Sequence, residues 1–489
     1  MKERLFLAID QGTTGTTVLL LDEKMEIRGK GYREIRQSYP TPGLVEHDPE
    51  NIWRSVLAAV ADARAQAPAG SIVAIGVTNQ RETTVLWQRA TGRAVAPAIV
   101  WQDRRTTDRC EVLRQAGLEP TFQASTGLRL DPYFSGTKIA WLLDNVPDLR
   151  AQAESGAIAF GTVDSFLAWR LSGGQSHITD VSNASRTLLF DLGRLDWNAD
   201  LCRLLGVPMA MLPRVCPSAG ALAITRGVDG ILDGTPITGI AGDQQAALYG
   251  QGCLDRGDAK CTFGTGSFLL MNVGDKPVLS RHRLLGTVAW QTSQGTTYAL
   301  EGSAFVSGAL VQWLRDGLGI IESAAEVEAL AASVPDSGGV TIVPAFAGLG
   351  APHWRPEARG IISGISRGTT AAHIARAALE AMAMQNVDLV RAMELDASHS
   401  ITSLRVDGGA AANSLLMQMQ ADLLGADIIR PAMVESTALG AARLAAHGLG
   451  HYTDLGKTSD LVVSTFHPRI GSSEREQVVN RWREALAKS

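Results

Sequence analysis

Cysteine is scarce and badly placed for cross-linking: Cys110, Cys202, Cys216, Cys253 and Cys261 are odd in number, scattered, and never spaced as CxxC. That argues against a disulfide framework and a zinc site, and fits unpaired thiols in a reducing compartment. Long hydrophobic runs are missing too. The longest uncharged stretch, 337–354, is interrupted by Pro344, Pro352 and several glycines, which predicts buried strand and loop, not a membrane span. The apolar run at 5–9 stops at Asp10, too short for a signal peptide, so a cytoplasmic protein is expected. Neither charge sign dominates: a net charge of −5 gives no reason to expect nucleic acid or an anionic membrane as partner. Three common signatures are also absent. The nearest approach to GxxxxGK[ST], at Gly456-Lys457-Thr458, has His451 where the first glycine is needed. HExxH and a strand-linked GxGxxG do not occur, which disfavours P-loop ATPases, zincins and Rossmann dehydrogenases.

What is present is an enzyme-like chain of 489 residues, 45% hydrophobic and 19% charged, too long for one core. Runs 4–10 and 16–22 flank DQGTTG and predict a β-hairpin with a Gly/Thr tip. Further apolar runs at 72–78, 94–100 and 237–241 read as strands, with helical patterns at 51–65 and 135–144 between them. Strand–helix alternation indicates an α/β domain. The second half repeats the theme: 259–263, a GTGS turn, then 268–273. Downstream, strand 403–407, turn Gly408-Gly409 and a helix over 411–424 follow, with Leu415, Leu416, Met419 and Leu423 on one face. Two halves that each open on a strand–Gly/Thr–strand unit predict a duplicated α/β fold with a cleft between domains 1–250 and 251–489, joined near 245–258.

The paired turns, Gly12-Thr13-Thr14 and Gly264-Thr265-Gly266, suit phosphate: glycine admits the anion to the backbone, and hydroxyl and N–H groups donate to its oxygens. Asp10 ends the strand before the first turn, where a carboxylate can hold Mg²⁺ directly or through water. Asp243, at the strand–helix junction GIAGDQQAA, can accept a proton from an attacking hydroxyl, or can serve only as a helix cap. Arg81-Glu82 in TNQRETT read either as a surface ion pair or, beside Trp87 and Trp101, as the grip on a small polyhydroxylated ligand.

Longer stretches carry a family resemblance: YPTPGLVEHDP (39–49), TNQRETT (78–84), TGLRLDPYFSGTK (126–138), GTVDSFLAWRL (161–171), TDVSNASRTLLF (179–190), GIAGDQQAALYGQ (239–251), FGTGSFLLMN (263–272), PAFAGLGAPHW (344–354) and RVDGGAAAN (405–413). With the DQGTT hairpin, these resemble the FGGY carbohydrate kinases of the actin/hexokinase-like (ribonuclease H-like) superfamily, and within them the branch that phosphorylates glycerol. QRET is the discriminating motif. The resemblance implies Mg²⁺-dependent transfer of the ATP γ-phosphoryl group to glycerol by a homodimer or homotetramer. It implies that Arg81, Glu82, Tyr133, Asp243 and Gln244 contact glycerol hydroxyls and that Trp101 and Phe268 enclose its carbons. Asp243 is the implied base, Asp10 and Asp243 lie near the metal, and Thr13, Thr14, Gly15, Thr17, Thr265, Gly308, Gln312, Gly409 and Asn413 occupy nucleotide positions.

Two departures stand out. Thr17 replaces an arginine that in the family reaches toward the transferred phosphate, with Arg104 and Lys138 as candidate substitutes. Gly234 stands where the family's fructose 1,6-bisphosphate loop carries arginine, so that inhibition is not expected. The rival readings are a kinase of another polyol or longer sugar, an actin-like ATPase, and a weakly catalytic regulator.

Overall fold

Both faces of the first hairpin are buried, which is why its strands read as unbroken apolar runs. In the computed structural model, which describes residues 3–346, 348–355, 357–432, 435–451 and 462–489, Leu5, Leu7, Ile9, Val18 and Leu20 face one core, and Phe6, Ala8, Leu19 and Leu21 another. Gly456-Lys457-Thr458 lies outside the described residues.

The first sheet comprises β1 (Arg4–Gln11), β2 (Gly15–Leu21), β3 (Ile27–Glu34), β4 (Ser71–Asn79), β5 (Ala219–Ile224) and β6 (Pro236–Gly242), in the order β5-β6-β4-β1-β2-β3. The second comprises β7 (Ala259–Phe263), β8 (Ser267–Gly274), β9 (Leu285–Thr292), β10 (Gly295–Ala304), β11 (Ser403–Asp407), β12 (Asp427–Pro431) and β13 (Val462–Phe466), in the order β9-β10-β8-β7-β11-β12-β13. The duplication is direct. In each sheet an antiparallel meander (β3-β2-β1, β10-β8-β7) is followed by two parallel strands (β4-β6, β11-β12) and an antiparallel edge (β5, β13). The parallel strands end in register: Asn79 pairs with both Gln11 and Gly242, and Thr262 with Asp407. Ligands of open α/β sheets bind at such carboxyl ends.

The helices that position the site are α1 (Pro49–Gln66), α2 (Ser135–Asn145), α3 (Asp243–Gly250), α4 (Gly308–Asp316), α5 (Ser414–Leu424) and α6 (Ser436–Gly448). Asp48 caps α1 by accepting from the Glu50 amide at 3.0 Å, and Pro49 fills the first turn. Two expected elements differ. The helix expected over 411–424 begins only at Ser414, because Gly409–Ala412 form a 3₁₀ turn and Asn413 caps α5 by accepting from the Leu416 amide at 2.8 Å. The run 94–100 yields only the two-residue strand Ala98–Ile99, since Pro97 has no N–H for a ladder.

Although α6 comes late in the chain, it covers the first sheet. Ala438, Leu439, Ala441, Ala442, Ala445 and Ala446 face Phe6, Ala8, Leu19 and Leu21. The approach is backbone to backbone: a Cβ on Gly440 would lie 1.8 Å from the Ala246 carbonyl of α3, and one on Gly76 2.1 Å from that of Ala441. Gly440→Ala must therefore part α3 from α6. Overpacking of this kind costs about 1–3 kcal/mol, so a lowered melting temperature is expected; an unchanged one would show that the helices do not touch through backbone.

Candidate active site

The turn after β4 carries a backbone feature that composition does not reveal: Glu82 has φ 59°, in the left-handed region that side-chain-bearing residues rarely occupy. The turn breaks the alternation of an extended chain, so Arg81 and Glu82 both enter one buried cluster. Neither belongs to a surface ion pair. They are 3% and 1% exposed, and each has its main partner elsewhere. Arg81 grips Glu301 of β10 with both Nη atoms, Nη1 to Oε2 and Nη2 to Oε1 at 3.2 Å. Its Nε lies 3.1 Å from Asp243 Oδ1, and Nη2 reaches the Tyr133 hydroxyl at 3.5 Å. Glu82 Oε1 accepts from Arg186 Nε at 2.6 Å, and Arg186 Nη2 donates to Glu301 Oε1 at 2.8 Å.

Two guanidinium groups and two carboxylates thus share one dry pocket. Burial alone would push the Glu301 carboxyl up, but Arg186 and Arg81 together hold it below the usual range. For Glu82 burial wins over Arg186 and Arg81, and its carboxyl is raised. Burial likewise raises the Tyr133 phenol. Arg186 lies over the rings of Tyr133 and Phe134, at 5.6 Å and 5.2 Å, and its Nη1 is a buried donor with no protein partner.

Aromatic rings wall this pocket. Trp101 meets Tyr133 edge-on at 5.7 Å and Phe268 at 6.0 Å. Its Nε1 donates to Thr13 Oγ1 at 2.9 Å, tying the wall to the first Gly/Thr hairpin. Trp87 is not part of it: fully buried, it packs against Phe166, Trp169 and His177 in the core. Gln244, buried, accepts through Oε1 from Lys260 Nζ, which also donates to Thr262 Oγ1 at 2.8 Å.

Asp243 is the first residue of α3, and its side chain keeps 29% of its surface open to the cleft. Its Oδ1 also accepts from the Gln244 amide at 2.7 Å, but Gly242 is the cap of α3 and no side chain caps the helix, so the reading of Asp243 as a helix cap does not hold. Burial raises the Asp10 carboxyl strongly, and the nearby Asp243 and Glu435 carboxylates raise it further. No ion pair with Asp10 occurs among the described residues, and Thr17 stands directly opposite it in the β1–β2 register. Neither candidate substitute for the missing arginine is free for that place. Arg104 pairs with Asp131 at 2.8 Å, and Lys138, held by burial down at about 7, donates to the carbonyls of Tyr133 and Glu82.

Of the residues that the resemblance assigns to the nucleotide, Thr265, Gly308, Gln312, Gly409 and Asn413 lie in the second half, beyond the strand ends of the second sheet. The amides of Gly308 and Ala309 donate to the carbonyls of Gly264 and Thr265 at 3.0 and 3.1 Å. A Cβ on Gly308 would lie 2.7 Å from the Gly264 carbonyl, and one on Gly408 2.5 Å from that of Phe263, so hairpin, helix start and Gly408-Gly409 turn form one surface. Thr265, Gln312 and Gly409 are exposed along it; in the first hairpin Thr14 is exposed, whereas Gly15 is buried, a Cβ there lying 2.6 Å from the Tyr32 hydroxyl. Asn413 has its side chain engaged as the α5 cap.

A separate groove of about 1080 Å³, lined by Glu46, His47, Arg89, Arg93 and Arg170 among others, contains none of these residues. Most of its charges are already paired, Glu46 with Arg105 and Arg170 with Glu50.

Sequence reasoning missed Glu301, Arg186 and Lys260. A lone carboxylate in the apolar run YALEG was the available signal, since a buried charge requires a partner.

The N-terminal domain model of the FGGY family of carbohydrate kinases matches residues 5–250, and the C-terminal domain model residues 259–449. The chain is 54% identical to a glycerol kinase of Alkalilimnicola ehrlichii and 55% identical to one of Aromatoleum aromaticum, in each case over 99% of this chain and 98% of the relative. The crystal structure of Plasmodium falciparum glycerol kinase with ADP superposes with a TM-score of 0.94 at 33% identity, covering 99% of this chain and 98% of that one.

Arg186→Met removes one partner from two buried carboxylates. Breaking such a pair costs about 3–5 kcal/mol, so a large drop in denaturation midpoint is expected. A wild-type midpoint would mean that water, not Arg186, satisfies Glu82 and Glu301.

Proposed function

The chain belongs to the FGGY family of carbohydrate kinases, and from that premise we propose that it transfers the γ-phosphoryl group of ATP to a terminal hydroxyl of glycerol, giving sn-glycerol 3-phosphate and ADP, the first step of glycerol breakdown. The observation that carries the reading is the meeting of Arg81 with Asp243 at 3.1 Å, beside the aromatic wall that Trp101 ties to the Thr13 hairpin. Arg81 donates to the hydroxyl oxygens, Glu82 accepts from a hydroxyl proton, and the rings of Trp101 and Phe268 cover carbon. Asp243 takes the proton of the attacking oxygen as it bonds to the γ-phosphorus and the ADP oxygen leaves. The Thr13 and Thr265 turns hold the phosphates in line, and most of the rate gain comes from this positioning.

Asp10 and Asp243 fit Mg²⁺: burial first, and then the Asp243 and Glu435 carboxylates, raise Asp10, and no described cation neutralises it. Among the described residues no cluster of three or more His, Cys, Asp or Glu could cage a metal, which suits an ion held by one or two carboxylates, waters and phosphate oxygens. When bound, it neutralises charge developing on the phosphates. We take residues 1–250 as the polyol-side domain and 251–489 as the nucleotide-side domain, and assign a cytoplasmic homodimer or homotetramer. No described helix is long and apolar enough to cross a membrane, and five unpaired thiols suit a reducing compartment.

Glycerol-dependent ADP release, measured against a panel of polyols and sugars, tests the function. Preference for a longer sugar, or release indifferent to polyol, would reject it. Asp243→Asn is expected to lower turnover about 10²–10⁴-fold while ATP still binds; near-normal turnover would remove Asp243 as base.

Thr17 leaves the Asp10 side of the phosphate site without the fork an arginine supplies. Thr17→Arg should raise kcat at least about tenfold, roughly 1.4 kcal/mol off the barrier, with the KM for glycerol little changed. An equal or lower kcat would show that the arginine is not needed here.

A further inference from the structure

Glu301 belongs to β10 of the second sheet, yet its fully buried carboxylate is the hub on which two arginines of the first half converge. Arginine presents its donors in one rigid plane, so the groups on two edges settle what the third edge can do. In Arg81 the two Nη atoms are taken by Glu301 as a bidentate fork, with Gln245 Oε1 a further acceptor at 3.3 Å from Nη1. The remaining edge, Nε, faces Asp243 Oδ1 at 3.1 Å. The carboxylate is fixed in turn by Arg186, whose Nη2 donates to Glu301 Oε1 at 2.8 Å and whose Nε holds Glu82 at 2.6 Å.

We propose that Glu301 is a positioning residue for phosphoryl transfer: by gripping both Nη atoms of Arg81 it keeps them off the base and leaves Nε as the guanidinium atom paired with Asp243 Oδ1, at 3.1 Å. The proposal rests on the polyol-kinase reading above and deepens it. Without the fork, Arg81 can turn its Nη pair onto Asp243 and form the bidentate contact that now belongs to Glu301. A carboxylate engaged twice by a cation is drawn away from the substrate hydroxyl. Through Arg186 the same carboxylate also sets Glu82, so one side chain of the second half orients both charged residues of the QRET turn. The placement of the second sheet against the first is thereby transmitted to the polyol pocket.

The test is steady-state kinetics of Glu301→Gln, with glycerol and ATP varied separately and the folded fraction measured by thermal melting. Positioning predicts that kcat/KM for glycerol falls about 10²-fold, through both kcat and KM, while the KM for ATP is unchanged. Glu301→Asp, which keeps the charge on a shorter stem, should recover part of the loss. A purely structural role lowers the folded fraction, and with it apparent kcat, but leaves the KM for glycerol at its wild-type value. That result overturns the proposal, as does a folded Glu301→Gln enzyme with wild-type kcat/KM. If the glutamine variant does not fold, Glu301→Asp carries the test alone: an intermediate loss confined to glycerol supports positioning, and wild-type kinetics overturn it. Glycerol dependence of ADP release is measured on the wild type first: polyol-indifferent release there rejects the kinase reading before any substitution is made, so that failure is distinguishable from failure of this one.

Discussion

Arg81 and Glu301 are held together by an ion pair that is almost wholly shielded from water and that joins the two halves of the molecule. Such a pair is tolerated only when each charge has its partner and the remaining donors and acceptors are met. Arg186 and Glu82 complete the set, giving two positive and two negative groups with Asp243 at the open end. The requirement reaches outward from the pocket. Glu301 can meet Arg81 only if β10 of the second sheet lies against the turn after β4 of the first, so the arrangement of the halves and the charge balance of the pocket are one constraint.

The rest of the fold serves that meeting. Parallel strands in both sheets end in register, and the Gly/Thr turns, the QRET turn and the start of α3 all lie at those ends. Helix α6 lies against the first sheet through alanines and glycines, after the chain has built most of the second. It places Glu435 close enough to raise the Asp10 carboxyl, and Ser436 donates to Asp407 at the end of β11. Thus the start of the helix that closes the first core meets an acidic residue of each sheet, Asp10 of β1 and Asp407 of β11.

Legibility in the sequence followed the range of the physics. The hairpin over DQGTT, the second hairpin, α1 and α2 were readable because they depend on short-range pattern and turn chemistry. The 94–100 run misled because apolar content says nothing of which N–H groups are available, and Pro97 removes one. Trp87 misled for a related reason: a large ring five residues after Glu82 is equally a core residue, and only its burial separates the cases. Glu301 was out of reach because its partners lie 115 and 220 residues away along the chain.

The sequence by itself determined the local elements and the family: which strands are joined by Gly/Thr turns, which strand carries Asp10, and that QRET sets a cation next to an anion along the chain. These depend on residue type and spacing within a few positions, where propensity and periodicity act. Only the tertiary structure decided that Arg81 and Glu82 turn inward together, that each is neutralised by a different distant partner, and that Asp243 lies 3.1 Å from Nε of a guanidinium whose Nη pair is held by Glu301. The reason is that the desolvation cost of a buried charge is set by its whole surroundings, and those exist only once both sheets and α6 are in place.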